Sequence, residues 1–327
     1  MGRKASSILY FDHNVYHPVA SQGAGGRVKK MLKDQGAEAF ASTQNLIEAW
    51  RISDDDTLRA NLVRTIIQVA RDREEMPLML EMVRAVVGQM RHLHPDWIRP
   101  DPDLRLQQRD IRRRREAWDQ VKADPAYVPK GVPWARAFLK EAVAESRRRQ
   151  AAHRELRRSG GRAHNPPRIQ ALIDALPEPE AFWRREQGLA WWDAVMPDPR
   201  SAKTTDARRV GDLRDWLLPH VVRGRVDIES WMTFWLAELR EGAVAPLRVA
   251  RLVDLINRDR KSDPGDWGDI NHAAFAVGRD YLLTADRNFY ESLLKAKVHS
   301  GVTMATPKFI NRAAAEIVAE IRSVMGW

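Results

Sequence analysis

Four carboxylates stand where their types and spacing could do chemistry together. Asp12 ends the apolar run Ile8-Leu9-Tyr10-Phe11, and Glu48 lies in Ser42-Thr43-Gln44-Asn45-Leu46-Ile47-Glu48. Asp269 opens Asp269-Ile270-Asn271-His272-Ala273-Ala274, and Asp286 closes Leu282-Leu283-Thr284-Ala285-Asp286. Each falls where a strand is expected to end or a helix to begin, and in an open α/β sheet that edge is where ligands bind. Like charges gathered there repel unless a cation or proton offsets them, and several oxygen donors suit a hard cation such as Mg²⁺ or Mn²⁺. Singly, each acid has an ordinary explanation as a turn residue or a helix cap. The combination carries the weight. Asp266 is an alternative to Asp269, although it reads more simply as a cap.

These side chains need elements to hold them. Ser7 to Asp12 reads as a strand covered on both faces, Pro18 to Gly26 as a loop and Arg27 to Gln35 as a helix. Ala37 to Ala41 is weakly strand-like, and Ser42 can cap a helix carrying Leu46, Ile47 and Trp50. Ser53 to Ala70 predicts an amphipathic helix with Leu58, Leu62, Ile66 and Val69 on one face, and another follows Pro77. Late in the chain, helices are expected over Leu247 to Ile256, Asp269 to Val277 (stopping at Gly278), Phe289 to Leu294 and Lys308 to Val324. Strands are expected at Tyr281 to Thr284 and Val302 to Ala305. Strands alternating with helices imply a mainly parallel sheet covered on both sides.

The middle differs. From His94 to Glu241 the pattern is helical, rich in Trp and broken by Pro, with no convincing strand. The chain carries 54 Lys and Arg against 44 Asp and Glu, a net +10. Arg105 to Arg158 alone holds 16 basic and 7 acidic residues, so this stretch accounts for nearly the whole excess. Arg105, Arg109, Arg112 and Arg115 recur at helical spacing, and Arg147, Arg154 and Arg158 nearly so. They make either a solvated face partnered by nearby Glu or a surface that tracks phosphates. Most of the twelve Trp residues should be packing, notably Trp183, Trp191, Trp192, Trp231 and Trp235. The expected organisation is a discontinuous α/β domain over 1–92 plus 242–327, with a basic helical insertion over 93–241.

The strand ending in Asp12, the helical Glu48, the segment Asp269-Ile270-Asn271-His272-Ala273-Ala274-Phe275-Ala276 and the segment Tyr281-Leu282-Leu283-Thr284-Ala285-Asp286 together resemble PIN-domain ribonucleases. The resemblance covers about residues 5–55 and 245–310, leaving out the basic middle. It implies a three-layer α/β/α fold and a metal-dependent endoribonuclease. Asp12, Glu48, Asp269 and Asp286 would be both catalytic and metal-binding, holding Mg²⁺ or Mn²⁺ directly or through water. An activated water would then leave a 5′-phosphate and a 3′-hydroxyl. Thr284, Asn14 and Asn288 would contact a phosphate or fix a carboxylate. His272 could be read as a metal ligand, but it is expected beside a carboxylate, orienting it or packing, because an all-oxygen site suits these cations better than imidazole. His13 and His17 are expected in a loop flanking the first strand end.

The basic balance favours an anionic partner, such as nucleic acid or a membrane surface. The resemblance implies RNA, with single-stranded DNA as the alternative and no membrane. Two rivals stand beside the ribonuclease: a PIN-like scaffold that binds nucleic acid or protein without cutting, and a DNA-directed nuclease of defence or repair. An inhibitor protein and self-association stay open. The absence of Cys excludes disulfides, zinc–thiolate sites and thiol nucleophiles. No apolar stretch approaches a membrane span, and no signal-peptide core follows Arg3 and Lys4, so a cytoplasmic location is expected.

Overall fold

The computed structural model describes residues 7–51, 55–72, 78–128, 144, 166–177, 180–196, 213–258 and 266–327. Strand β1 (Ser7–Phe11) holds Leu9, Tyr10 and Phe11 with no exposed surface, as a run covered on both faces requires. The other strands are β2 (Ala37–Ala41), β3 (Ala70–Asp72), β4 (Tyr281–Thr284) and β5 (Thr306–Phe309). They form one all-parallel sheet in the order β3-β2-β1-β4-β5. Leu9 lies opposite Ala39 on one side and Tyr281 on the other. The chain is therefore α/β, with a helical stretch between β3 and β4. Strand order runs outward in opposite directions from β1 and β4. In open parallel sheets such a reversal is where ligands bind, in a crevice beyond the carboxyl ends of the two strands.

The chain separates into two compact units. The first comprises Met1–Glu75, Arg114–Arg154 and Val249–Trp327; the second comprises Met76–Arg113 and Glu155–Arg248. In the first, the sheet is joined by α1 (His13–Ser21), α2 (Gly25–Asp34), α3 (Thr43–Arg51) and α4 (Asp56–Val69). Leu9, Phe11, Val15, Leu46, Leu62, Ile66 and Leu283 share its core. The next helices along the chain are α5 (Leu78–Leu93), α6 (Arg105–Ala123), α7 (Pro167–Asp174), α8 (Glu180–Val195), α9 (Ile228–Thr233) and α10 (Ala245–Arg258). The second unit is helical and packs around Trp183, Trp191, Trp231 and Trp235, all at most 1% exposed. These indoles are core, as their spacing predicts. The chain closes with α11 (Asp266–Ala274), α12 (Arg287–His299) and α13 (Ile317–Met325). No helix among the described residues is long and apolar enough to cross a membrane.

Several elements differ from the sequence expectation. The segment expected to loop from Pro18 is helical through Ser21, with Pro18 inside α1. Burying Val15, Tyr16 and Val19 completely outweighs the one helical hydrogen bond that Pro18 cannot make. Strand β3, only three residues long, carries no periodic signal and was not expected. The last strand lies at Thr306–Phe309 rather than Val302–Ala305. It pairs on one side with β4, and such an edge position tolerates Pro307. The closing helix starts at Ile317, capped by the Glu316 carboxylate, because Lys308 and Phe309 belong to the strand. Leu58, expected on the buried face of α4, is 40% exposed.

Candidate metal centre

Strand β1 delivers Asp12 to the crevice. Its backbone N–H donates to the Leu283 carbonyl at 2.9 Å, extending the β1–β4 pairing by one residue. Thr284, the last residue of β4, donates Oγ1–H to Asp12 Oδ2 at 2.8 Å, and Asn14 Nδ2 donates to the same oxygen at 3.2 Å. Oδ1 faces His272, whose Nε2 is 3.3 Å away.

Helix α3 follows β2 directly and brings Glu48 to the same place. Gln44, one turn earlier, donates Nε2–H to Glu48 Oε1 at 2.6 Å, and Glu48 Oε2 lies 3.1 Å from His272 Nε2. The backbone of α11 approaches this carboxylate closely because residue 268 is glycine. A Cβ there would stand 2.5 Å from Glu48 Oε1. One turn later, α11 presents His272, buried, with Nδ1 2.6 Å from the Tyr10 hydroxyl. That hydroxyl is 2.8 Å from Ser42 Oγ.

Burial pushes the Asp12 carboxyl above its ordinary range, and the Glu48 charge adds to it, against the pull of His272. Burial would raise Glu48 as well. There the His272 imidazole outweighs it, with help from His13 and Gln44, and the carboxyl falls to about 2. Burial works to lower His272, but Glu48 and Asp12 together lift it above the usual imidazole range. Burial drives the Tyr10 phenol far up, so it stays neutral.

No family model, curated protein or solved structure matches this chain.

Of the residues expected from sequence, Asp12, Glu48 and His272 come together. Each offers a ligand atom, and these atoms all lie within 4.8 Å of one another. Thr284 and Asn14 support Asp12 as described. Asp269 is buried one turn before His272 but is not a member of this trio. Asp286 is also outside it. Its carboxylate caps α12, accepting from the Phe289 N–H at 2.9 Å, and its own N–H donates to Thr284 Oγ1 at 3.0 Å. Asn288 sits in the first turn of α12, its carbonyl accepting from the Ser292 hydroxyl. Asp266 opens α11, and its side chain lies outside the described residues. Of the arginines, Arg105 pairs with Asp103 and Arg109 lies 3.7 Å from Asp110, while Arg112 and Arg115 are exposed on α6. Arg147, Arg154 and Arg158 lie outside the described residues.

Four supporting residues carry no sequence signal. Tyr10 and Ser42 look like ordinary strand and cap residues. Gln44 gains meaning only from its one-turn spacing to Glu48, and Gly268 only from the packing of α11. Ser42, expected to cap α3, directs its hydroxyl to Tyr10 and Asn45. His13 and His17 are helical, one turn apart on α1, with Nε2 atoms 3.1 Å apart.

The close approach at Gly268 gives a direct test of this geometry. Gly268→Ala is expected to displace the Glu48 carboxylate and weaken divalent-metal binding by about 10- to 100-fold, the scale of a disturbed supporting contact. Gly88→Ala, where an added Cβ meets nothing within 4 Å, is the control and should bind metal normally. Calorimetric metal titration of both variants checks this. Equal affinities would show that α11 does not press on Glu48.

Proposed function

We propose that this chain is a divalent-metal-dependent nuclease of PIN type that hydrolyses phosphodiester bonds, with RNA as its substrate. The observation that carries the reading is the meeting of Asp12 and Glu48 at the carboxyl ends of β1 and β2, beside the point where strand order reverses. A three-layer α/β/α arrangement of PIN type is part of the proposal. The donor set fits the implied cation: two carboxylates converge, each has one oxygen anchored by a neutral hydrogen-bond donor, and each turns the other toward the centre. A bound Mg²⁺ or Mn²⁺ would supply Lewis acidity to the scissile phosphate and its attacking water.

The chain's own residues prepare that event. Thr284 and Asn14 hold Asp12 in one rotamer, and Gln44 holds Glu48. Asp286 caps the first turn of α12 through Oδ1 and, through its N–H, orients Thr284. Asp269 remains a candidate for a water-mediated contact from its buried position on α11. The exposed Arg112 and Arg115 of α6 and the overall +10 charge favour a polyanionic substrate.

A second reading has its own observation. His272 Nε2 stands between the two carboxylates, where an imidazolium would neutralise them without any metal, as in a non-cleaving scaffold. Incubation of the purified chain with single-stranded RNA, structured RNA and single-stranded DNA separates these possibilities. Cleavage of RNA with Mg²⁺ or Mn²⁺, suppressed by chelator and leaving 5′-phosphate ends, is the expected result. Cleavage in chelator would overturn the metal-dependent reading, intact nucleic acid with metal would favour the scaffold, and cutting confined to DNA would favour the DNA-directed alternative.

A further inference from the structure

The direction of one hydrogen-bond chain decides what His272 can do. Asn45 Nδ2 donates to the Phe11 carbonyl at 3.0 Å, which turns Asn45 Oδ1 toward Ser42. That oxygen accepts the Ser42 backbone N–H at 2.9 Å and the Ser42 hydroxyl at 3.3 Å. With its proton so placed, Ser42 Oγ accepts from the Tyr10 hydroxyl, 2.8 Å away. Tyr10 Oη has then given its own proton and accepts from His272 Nδ1 at 2.6 Å. The proton of the neutral imidazole is therefore held on Nδ1, which leaves the electron pair on Nε2.

That electron pair faces Asp12 Oδ1 at 3.3 Å and Glu48 Oε2 at 3.1 Å. Nε2 is buried, and neither carboxylate oxygen sits where a ring N–H would make a well-aligned hydrogen bond. Two carboxylates and an imidazole nitrogen converge, where a proton on Nε2 or a metal cation offsets the two negative charges. Donors bound at about 2.1 Å on neighbouring corners stand about 3.0 Å apart around an octahedral ion and about 3.4 Å apart around a tetrahedral one. The two observed separations fall within that range.

We propose that His272 Nε2 is the third protein ligand of the centre, beside Asp12 and Glu48, and that the resulting site selects Mn²⁺ over Mg²⁺. Tyr10, Ser42 and Asn45 are positioning residues that hold the imidazole in its ligating tautomer. The proposal rests on reading the crevice as a metal centre, and it replaces the all-oxygen site expected from the sequence. Mg²⁺ keeps its waters and demands near-ideal octahedral oxygen coordination, whereas Mn²⁺, a first-row transition ion, accepts one imidazole among its carboxylate donors more readily. A metal-ligating His also requires a partner for its other ring nitrogen, and Tyr10 is that partner here.

Calorimetric titration of the full chain with Mn²⁺ and with Mg²⁺, combined with pulsed electron paramagnetic resonance of the Mn²⁺ form, tests it. The expected result is nitrogen-14 modulation from a directly bound imidazole, with Mn²⁺ bound at least about tenfold more tightly than Mg²⁺. His272→Gln should abolish the modulation and erase most of that preference. Tyr10→Phe should keep the modulation while weakening Mn²⁺ by about tenfold. Circular dichroism of each variant establishes that it is folded. Mn²⁺ binding without nitrogen modulation, unchanged in His272→Gln, overturns this proposal and leaves a carboxylate metal site standing. Absence of binding by the unsubstituted chain overturns both.

Discussion

Asp12→Asn is expected to reduce divalent-dependent cleavage by at least about a hundredfold while leaving the fold intact. Losing a supporting hydrogen-bond partner already costs metal sites about 10- to 100-fold, and removing a ligand charge should exceed that. The substitution is nearly isosteric. An Asn oxygen at position 12 can still accept from Thr284 Oγ1 or Asn14 Nδ2, so the local hydrogen bonds have a route to survive. The stability argument runs the other way from the activity argument. Asp12 is 1% exposed, and burial holds its carboxyl above the ordinary carboxylate range. A carboxyl whose folded-state pKa is raised destabilises the fold above its unfolded pKa, so a neutral amide relieves that burden at pH 7. Removing the charge also takes one partner from His272, which partly offsets the gain. The melting temperature of the metal-free variant should therefore stay within about 3 °C of the parent. Activity would be measured under saturating Mn²⁺ and Mg²⁺, beside a thermal melt in chelator. A folded Asp12→Asn protein that cuts within tenfold of the parent would place the reaction elsewhere.

Glu180→Ala should produce the largest loss of stability of any single change considered, about 3–5 kcal/mol. Glu180 opens α8 and is buried in the helical unit. Its Oε1 accepts from Arg184 Nε. Its Oε2 accepts from Trp183 Nε1 at 2.6 Å and pairs with Arg248 Nη2 at 2.9 Å. Arg184 is tied in turn to the carbonyls of Trp235 and Leu239, each at 3.0 Å, at the end of the π-helical turn Phe234–Glu238. Both guanidinium groups are less than one-tenth exposed, so truncating Glu180 leaves two buried cations without their shared counter-charge. It also strips the Trp183 indole of its acceptor. Glu180→Gln, which keeps an acceptor oxygen but no charge, should lie between the parent and Glu180→Ala. Urea unfolding followed by Trp fluorescence reports on this unit because its core holds Trp183, Trp191, Trp231 and Trp235. A loss below about 1 kcal/mol for Glu180→Ala would mean that water or rearranged side chains already serve these charges.

Much of the centre could be read before folding, for a plain reason. A polar residue that ends an apolar strand is conspicuous, and Asp12 and Thr284 are conspicuous in this way. Glu48 is legible through the family resemblance rather than through its own spacing, and His272 through its place one turn after Asp269. Spacing could not rank the acids. Asp286 and Asp12 look alike in sequence, each closing a strand before a helix. In the fold Asp286 turns its carboxylate onto the N–H of Phe289, whereas Asp12 makes no capping bond and points into the centre. Asp269 and His272 lie one turn apart on α11, yet only His272 joins Asp12 and Glu48. The secondary structure misled where local signal was weak or outweighed, as at the three-residue β3, the proline-bearing α1 and the displaced β5.

Local order in the chain, by itself, determined that alternating apolar strands and helices would build a parallel sheet and bring acids to its carboxyl edge. Period and polarity are properties of neighbouring residues. Only the tertiary structure decided which of those acids share a centre, that an imidazole stands between them, and that Tyr10, Ser42 and Asn45 orient that imidazole. The contacts of His272 with Tyr10, Asp12 and Glu48 join residues more than two hundred positions apart, and their geometry depends on how α3 and α11 pack, down to the missing side chain of Gly268. Such ångström-scale distances are set by packing, which no short-range pattern encodes.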